Sequence, residues 1–192
     1  MYTILLLVVF RLGSFIPVPG MDKTALQQLV GGDNSLFGFL DTLTGGAFGN
    51  ATIFAMSITP YINSSIIMQL LTVAIPSLER LSKEGEEGRK KIAQYTRYGT
   101  VILGFVQATG LYFALRGAIM ERGVLSYITI TLTFTAGTAF LMWLGEQITE
   151  KGIGNGISLI IFAGIVSRGP SMVQALYANY VNKNLNIFTL AL

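Results

Sequence analysis

The most informative feature of this sequence is a series of five long stretches that carry almost no charge. They cover residues 2–18, 51–75, 98–115, 124–144 and 157–180, although only 157–166 of the last stretch is strongly apolar. A helix rises about 1.5 Å per residue, so roughly 20 apolar residues cross a hydrocarbon core about 30 Å thick. The pattern therefore predicts an all-α membrane protein, a bundle of five transmembrane helices.

The composition supports lipid as the main solvent of this chain. Hydrophobic residues make up 52% of it and charged residues 12%, whereas a soluble domain carries about 25% charged residues. There is no His and no Cys, which removes the commonest general base, the thiol nucleophiles and the usual zinc ligands. We predict no enzymatic activity, no metal and no cofactor.

Both ends of the sequence are interpreted as truncations. A signal peptide is the alternative for residues 2–18, but no basic segment precedes this stretch and Arg11 interrupts it. We expect Arg11, the one ionisable residue inside a strongly apolar stretch, to snorkel or to pair with a backbone carbonyl. A further apolar run, 186–192, stops short of a full span.

Residues 128–135 alternate between apolar and threonine side chains, which is locally typical of a half-buried strand. A single strand in lipid would leave its backbone polar groups unpaired, whereas a helix satisfies them internally. We therefore predict a helix here.

The distribution of cations predicts the orientation in the membrane. Six of them lie between the second and third stretches, against two between the third and fourth; they are Arg80, Lys83, Arg89, Lys90, Lys91 and Arg97. Short loops rich in Lys and Arg stay in the cytoplasm. We therefore expect the loop 76–97 and the turn 146–155 to be cytoplasmic, and residues 20–50 and 116–123 to be external. Because this loop also carries acidic residues, we predict no nucleic-acid site in it.

The second stretch has a polar face formed by Asn63, Ser64, Ser65 and Gln69. Polar side chains facing only lipid cost free energy, so this face meets either water or hydrogen-bonding groups of neighbouring helices. We also expect Pro60 to kink the helix in the middle of the span.

Small residues recur every four positions in the third stretch, at Thr100, Gly104 and Ala108 and again at Gly110 and Ala114. Such spacing lets helix backbones approach closely, which predicts that this helix packs between neighbours.

Between the first two stretches, the Gly-rich residues 31–35 precede a short apolar segment that ends at Gly45 and Gly46. About nine helical residues span roughly 14 Å and cannot cross a bilayer. This helix is therefore re-entrant, interfacial or a movable stopper.

Two isoleucine pairs stand four residues apart, Ile58 with Ile62 and Ile161 with Ile165. Spacing alone makes them core or lipid-facing residues. The short fifth stretch leaves open a small-solute transporter built on inverted repeats, although such transporters usually need a carboxylate at depth. The run 152–156 is glycine-rich but lacks a preceding strand, so we interpret it as a tight turn.

A series of motifs in a fixed order resembles the SecY family, the central subunit of the bacterial protein-conducting channel. The motifs are RLGSFIPVPG at 11–20, GGA at 45–47, ITPYI at 58–62, QYTRYG at 94–99 and WLGEQITEKGIGNGIS at 143–158. The resemblance covers essentially the whole chain and implies the N-terminal half of the subunit, spans 1 to 5 and the start of span 6.

The resemblance implies roles for particular residues. Ile58, Ile62, Ile161 and Ile165 match an apolar pore ring, and Asn63 and Gln107 match polar positions of a lateral gate. The external plug lies within 31–46, and its matching residues are Ser35, Leu36, Phe37, Gly38, Phe39, Leu40, Asp41, Thr42, Leu43 and Thr44. The implied function is to move unfolded secretory polypeptides across, and membrane proteins into, the bacterial cytoplasmic membrane.

The implied partners are the SecE and SecG subunits, the SecA motor or a ribosome, signal sequences, nascent polypeptides and membrane lipid. The main docking loops for the motor or ribosome are expected outside this chain.

Overall fold

The computed structural model describes residues 1–31, 38, 41, 44–121 and 123–181. The α-helices with assigned bounds in these residues are α1 (Tyr2–Gly13), α2 (Lys23–Gly31), α3 (Thr59–Ala74), α4 (Pro76–Lys83), α5 (Glu86–Ala114), α6 (Val124–Lys151) and α7 (Gly156–Val181), and a 3-10 turn covers Arg116–Ala118. In the same residues, β-type pairing is limited to two isolated bridges, Pro17 with Thr52 and Met21 with Ile119. The prediction of an all-α fold is confirmed.

The helices differ in whether they could cross a bilayer unaided. Among the described residues, only α6 is both long and apolar enough as a single helix. The pair α3 and α4 passes the same test together but bends by 101°, and Tyr2–Gly13 and Gly156–Ser167 are apolar but shorter. The count of five transmembrane helices therefore stays a prediction.

Large apolar side chains cover the outside of the bundle. They come from five helices and include Ile4, Leu5, Val8, Leu70, Val73, Ile102, Val106, Leu125, Leu132, Phe162 and Val166. A soluble monomer rarely exposes a contiguous apolar surface of this kind. The outer surface is therefore suited to lipid or to other membrane helices.

Helix α5 packs between α3 and α6. Its buried residues include Thr100, Gly104 and Ala108, which recur every four positions. A Cβ at Gly104 would lie 3.8 Å from Thr135 Cγ2 of α6 and 3.9 Å from Pro60 Cβ of α3. The packing predicted from small residues is confirmed for this set.

The second small-residue set behaves differently. Gly110 and Ala114 are exposed, and a Cβ at Gly110 would have nothing within 4 Å. Their predicted close packing is not found against the described residues of this chain.

Helix α6 contains the alternating run 128–135, so the prediction of a helix there is confirmed. Its Gly137 lies directly under the segment that precedes α3, where a Cβ would fall 2.1 Å from the carbonyl oxygen of Ile53. Nearby, aromatic rings stack in series from Phe10 to Phe54 to Phe140, with centroids 6.0 Å apart at each step. These contacts join α1, the 44–58 segment and α6 in one core.

The kink predicted at Pro60 is wrong, because Pro60 stands in the first turn of α3, where no intrahelical donor is needed. Residues 51–57 form turns instead of helix. Ala51 and Ser57 have positive φ angles of 51° and 52°, and the Ile53 N–H donates to the carbonyl of Ile16 at 3.0 Å. Hydrogen bonding to the segment that follows α1 therefore holds residues 51–57 in turns and not in a helix.

Hydrogen bonds bring helix ends together in two separate places. Tyr2 donates from its hydroxyl to Gln147 at 3.3 Å, and the backbone N–H of Ile153 donates to Thr3 Oγ1 at 3.2 Å. At the other end, the backbone N–H of Asp22 donates to the carbonyl of Ala118 at 2.8 Å. The start of α1 therefore lies beside the end of α6, and residues 17–22 lie beside 116–119.

Two segments expected as irregular are largely helical. The loop 76–97 contains all of α4 and the first part of α5, with a break near Gly85, whose φ is 79°. Helix α6 continues to Lys151, which reduces the predicted turn 146–155 to residues 152–155. Gly154 in that turn has φ 77°, as a tight turn requires.

Candidate functional site

The candidate site is a groove between the 44–59 segment, α3, α5 and α7. Its volume is about 290 Å³. Apolar side chains dominate its lining, which consists of Thr44, Phe48, Ala55, Met56, Ser57, Ile58, Thr59, Ile62, Gln107, Leu111 and Ile161. A mostly apolar groove with one amide and no charged side chain among the described residues of its lining suits an apolar or extended peptide segment better than a charged ligand.

Ile58 and Ile62 enter this groove from the start of α3. Ile58 is the residue before the helix, and the backbone N–H of Ile62 donates to its carbonyl at 3.2 Å. Ile58 is only 1% exposed, and its Cδ1 would lie 3.6 Å from a Cβ at Gly145 of α6. Ile62 is half-buried. Ile58 is thus anchored in the core, whereas Ile62 presents more of its side chain to the groove.

The other predicted ring pair lies on α7. Ile161 is half-buried and lines the groove together with Ile58 and Ile62. Ile165 is 42% exposed and does not line it. The structure therefore brings three of the four isoleucines to one cavity and leaves Ile165 at the surface.

The two predicted gate residues stand in different places. Gln107 of α5 lines the groove, while Asn63 of α3 is half-buried and does not. Because Asn63 follows Ile62 by one residue, it points about 100° away from it around the helix. The groove therefore unites Gln107, but not Asn63, with the isoleucines.

The plug prediction falls mostly outside the described residues. Gly38, Asp41 and Thr44 are described, and Ser35, Leu36, Phe37, Phe39, Leu40, Thr42 and Leu43 are not. Asp41 is 1% exposed, and its Oδ1 accepts the backbone N–H of Gly49 at 2.6 Å. The hydroxyl of Thr44 donates to the Asp41 carbonyl at 3.2 Å. These bonds tie the end of the predicted plug to the 44–50 turns.

The polar face of α3 is explained in part by helix packing. The hydroxyl of Ser64 donates to the carbonyl of Thr96 on α5 at 2.8 Å. The Cβ of an alanine at Gly99 would lie 2.5 Å from the Ser64 oxygen, so a glycine keeps this approach open. Gln69 donates to Ser65 within α3 at 3.5 Å. Of the two explanations for this face, interhelical hydrogen bonding holds for Ser64.

Sequence reasoning missed several groove residues. Leu111 stands four residues after Gln107, so the helical period could have placed the two side by side. Phe48 and Met56 had no such signal, because the residues around them were expected to be helical or part of an irregular loop.

Solved structures with a similar fold support a channel class. The chain matches the structure titled "The structure of a protein conducting channel" and that of Sec61 in the canine ribosome-channel complex from the endoplasmic reticulum. Each match has a TM-score of 0.61 and 26% identity, and covers 87% of this chain and 35% of the other. The fold is that of the helical protein-conducting channels, a class of membrane protein.

Sequence comparison identifies the family within this class. A profile of the SecY family matches residues 52–192. The protein translocase subunit SecY of Halalkalibacterium halodurans is 53% identical over 94% of this chain, and those of Bacillus subtilis and Escherichia coli K12 are 50% and 49% identical over 97% and 87% of it. The chain belongs to the SecY family.

The chain spans less than half the length of these relatives, 43%, 44% and 39% respectively. The alternative of a small-solute transporter is not supported by any of these similarities.

Proposed function

We propose that this chain forms one wall of a channel that conducts unfolded secretory polypeptides across the cytoplasmic membrane of a bacterium and releases membrane proteins sideways into lipid. The observation that carries this proposal is the shared groove of Ile58, Ile62 and Ile161. Relatives named translocase subunits and a fold shared with protein-conducting channels support it.

The pore ring works through the physical properties of aliphatic side chains. Ile58, Ile62, Ile161 and Ile165 offer no hydrogen bonds to water or ions, so a narrow collar of such residues dewets and excludes both. The same side chains hold an extended polypeptide only by weak, non-directional contacts. The ring seals the resting channel without gripping its substrate. Ile165, exposed beside the groove, is available to meet apolar groups from another part of the channel.

The plug and the gate control access to this ring. Residues 35–44 cap it from the external side in the resting state, supported by the position of Thr44 in the groove. Asn63 and Gln107 lie at the lateral gate, where α3 and α5 separate from the opposite wall to admit a signal sequence. The Gln107 amide in the groove lining can hydrogen-bond to a partly polar segment, whereas a fully apolar segment passes into lipid.

The proposed topology has five membrane spans, built on α1, α3, α5, α6 and α7. The segment 76–97 and the residues 146–155 face the cytoplasm, and 20–50 and 116–123 face outward. Two observations support this arrangement: the two groups of helix ends described above, and the cations Arg80, Lys83 and Arg89 near the α4–α5 break.

The partners proposed for the assembled channel are SecE, SecG, signal sequences and nascent chains, with SecA or a ribosome as the driving component. The similarity to Sec61 from a ribosome-channel complex supports the ribosome as one such partner. No enzymatic role is proposed, since conduction is driven by the partner.

The function is tested by the resting ion conductance of planar bilayers that contain a full-length subunit carrying this sequence. Ile62→Gly opens a gap in the ring, so we expect ions to leak through the resting channel. Ile67→Gly is the matched control, because Ile67 lies on the exposed side of the same helix and loses the same helix propensity. Equal conductance in the two variants would contradict the proposed pore.

A further inference from the structure

Arg11 is the charged residue of helix α1. A charged side chain within a membrane span is costly and needs a partner. Among the described residues its hydrogen-bond partner is a side-chain hydroxyl instead of the expected backbone carbonyl: Arg11 Nη1 donates to the hydroxyl of Ser167 on α7 at 3.1 Å, and the guanidinium lies 5.0 Å from the ring centroid of Phe15. A hydroxyl and an aromatic face thus take the place of water around this cation.

Ser167 also forms a hydrogen bond with the backbone of α7. Its hydroxyl donates to the carbonyl of Gly164 at 2.7 Å. The same oxygen therefore accepts from Arg11 and donates to Gly164, which fixes the position of one turn of α7 relative to α1. Gly164 stands between the two predicted ring positions Ile161 and Ile165.

The carbonyl of Gly164 is also the surface against which Gly45 rests. A Cβ at Gly45 would lie 2.6 Å from the Gly164 oxygen and 3.0 Å from its Cα, so only a glycine fits. Gly45 and Gly46 have φ angles of 65° and 87°, which favour glycine independently. We call this approach of Gly45 to Gly164 the glycine contact.

The glycine contact is suited to form and to break. It consists of backbone against backbone, with no interlocked side chains and no hydrogen bond between the two residues. It is also adjacent to the groove, because Thr44, the neighbour of Gly45, lines the cavity together with Ile161. Movement of residues 44–46 away from α7 therefore changes the wall of the groove directly.

We infer that Arg11 is a positioning residue that, through Ser167, holds the Gly164 carbonyl as the seat of the plug end at Gly45, and so keeps the resting channel closed. This inference rests on the proposed function and adds a regulatory role for residues outside the ring, the plug and the gate. Loss of the hydrogen bonds or of the glycine contact shifts the channel towards the open state.

The test measures resting ion conductance in bilayers with the full-length subunit, and compares variants in matched pairs. Gly45→Ala creates the clash with Gly164, whereas Gly154→Ala has a similar positive φ but nothing within 4 Å of the new Cβ. Arg11→Leu removes the donor and Arg11→Lys keeps one. Ser167→Ala removes the relay and Ser167→Thr keeps it.

We expect the first member of each pair to raise the resting open fraction by roughly tenfold, the effect of a moderate steric or polar penalty on a two-state equilibrium. The second member of each pair should stay near the unmodified channel. A loss of folding removes channels and lowers conductance, so it cannot produce this rise. If the Gly45 or Arg11 variants fail to assemble, Ser167→Ala, which removes a single oxygen atom, still tests the inference.

Equal conductance within all three pairs would overturn the inference. The Ile62→Gly variant, measured in the same series, separates this failure from that of the proposed function. If Ile62→Gly leaks while the two members of each pair conduct equally, Arg11 has no positioning role and the pore assignment stands. If Ile62→Gly does not leak either, the inference and the proposed function are both overturned.

Discussion

Arg97 on α5 donates from Nε to Oε1 of Glu146 on α6 at 2.8 Å, and so joins two motifs that lie 49 residues apart. The side chain of Arg97 is 45% exposed and that of Glu146 is 17% exposed. The pair therefore lies at the edge of the bundle, where α5 and α6 pack together. Of the two ion pairs found among the described residues, this one bridges two helices. The other, between Lys83 and Glu79, lies within α4.

We expect a small coupling energy between these two residues. Ion pairs that remain accessible to water typically contribute about 0.2–1 kcal/mol, because water screens the charges and side-chain entropy is lost. A double-mutant cycle with Arg97→Gln and Glu146→Gln, read from unfolding of the purified subunit in detergent, measures it. Coupling that rises as salt is added would contradict a screened ion pair.

Gly137→Ala should destabilise the fold strongly. Its new Cβ would lie 2.1 Å from the Ile53 carbonyl, a backbone atom that cannot rotate away. We expect a loss of about 1–3 kcal/mol or more, as for other overpacked cores. Gly110→Ala on α5 is the control, because it has open space and gains up to about 1 kcal/mol of helix propensity. Thermal unfolding in detergent compares the two, and a similar stability in both would count against the packing of α6 under residue 53.

Ser64→Ala should weaken the contact between α3 and α5. It removes the hydrogen bond to the Thr96 carbonyl, and hydrogen bonds between membrane helices contribute about 0.6 kcal/mol on average. Ser65→Ala serves as the control, because Ser65 contacts Gln69 only within its own helix. Equal unfolding free energies for the two variants would show that Ser64 does not link the helices.

Acidic pH should destabilise the N-terminus of α2. The hydroxyl and the backbone N–H of Thr24 donate to Asp22 Oδ1 at 2.6 and 2.8 Å, and these bonds hold the pKa of Asp22 below its usual value of about 3.9. Because the folded pKa is the lower one, ionised Asp22 stabilises the folded state above pH about 3.9, and this contribution is lost as pH falls through the folded pKa.

The amide chemical shift of Thr24, followed by NMR against pH, measures this titration. We expect its midpoint below about pH 3.9, and no titration in the control Asp22→Asn, which keeps an acceptor for the cap. A midpoint at or above the usual aspartate value would contradict the capping role.

Much of the fold followed from hydrophobic stretches, because a backbone in lipid has few alternatives to a helix. The helical state of 128–135 was predicted for this reason, and the close packing at Gly104 was predicted from the four-residue spacing of small side chains. The start of α3 was not, since the turns at 51–57 depend on the hydrogen bond from Ile53 to Ile16, a residue distant in sequence. Composition carries no information on such a pairing.

The candidate site was accessible mainly through family resemblance. Isoleucines four apart occur in any core, and only the resemblance singled out Ile58, Ile62, Ile161 and Ile165, of which the first three line the groove. Tertiary packing added Phe48 and Met56, which reach the groove through irregular turns that no periodicity describes.

In the proposed channel, the groove of Ile62 and Ile161 contacts the polypeptide in transit. The chain has no native cysteine, so Ile62→Cys and Ile161→Cys in the full-length subunit each introduce one new thiol into this segment. A secretory chain stalled in the channel carries a single cysteine of its own, and Ile67→Cys and Phe162→Cys on the outer faces of the same helices are the controls. We expect disulfide adducts at positions 62 and 161 and none at 67 and 162; adducts only at 67 and 162 would overturn the pore assignment.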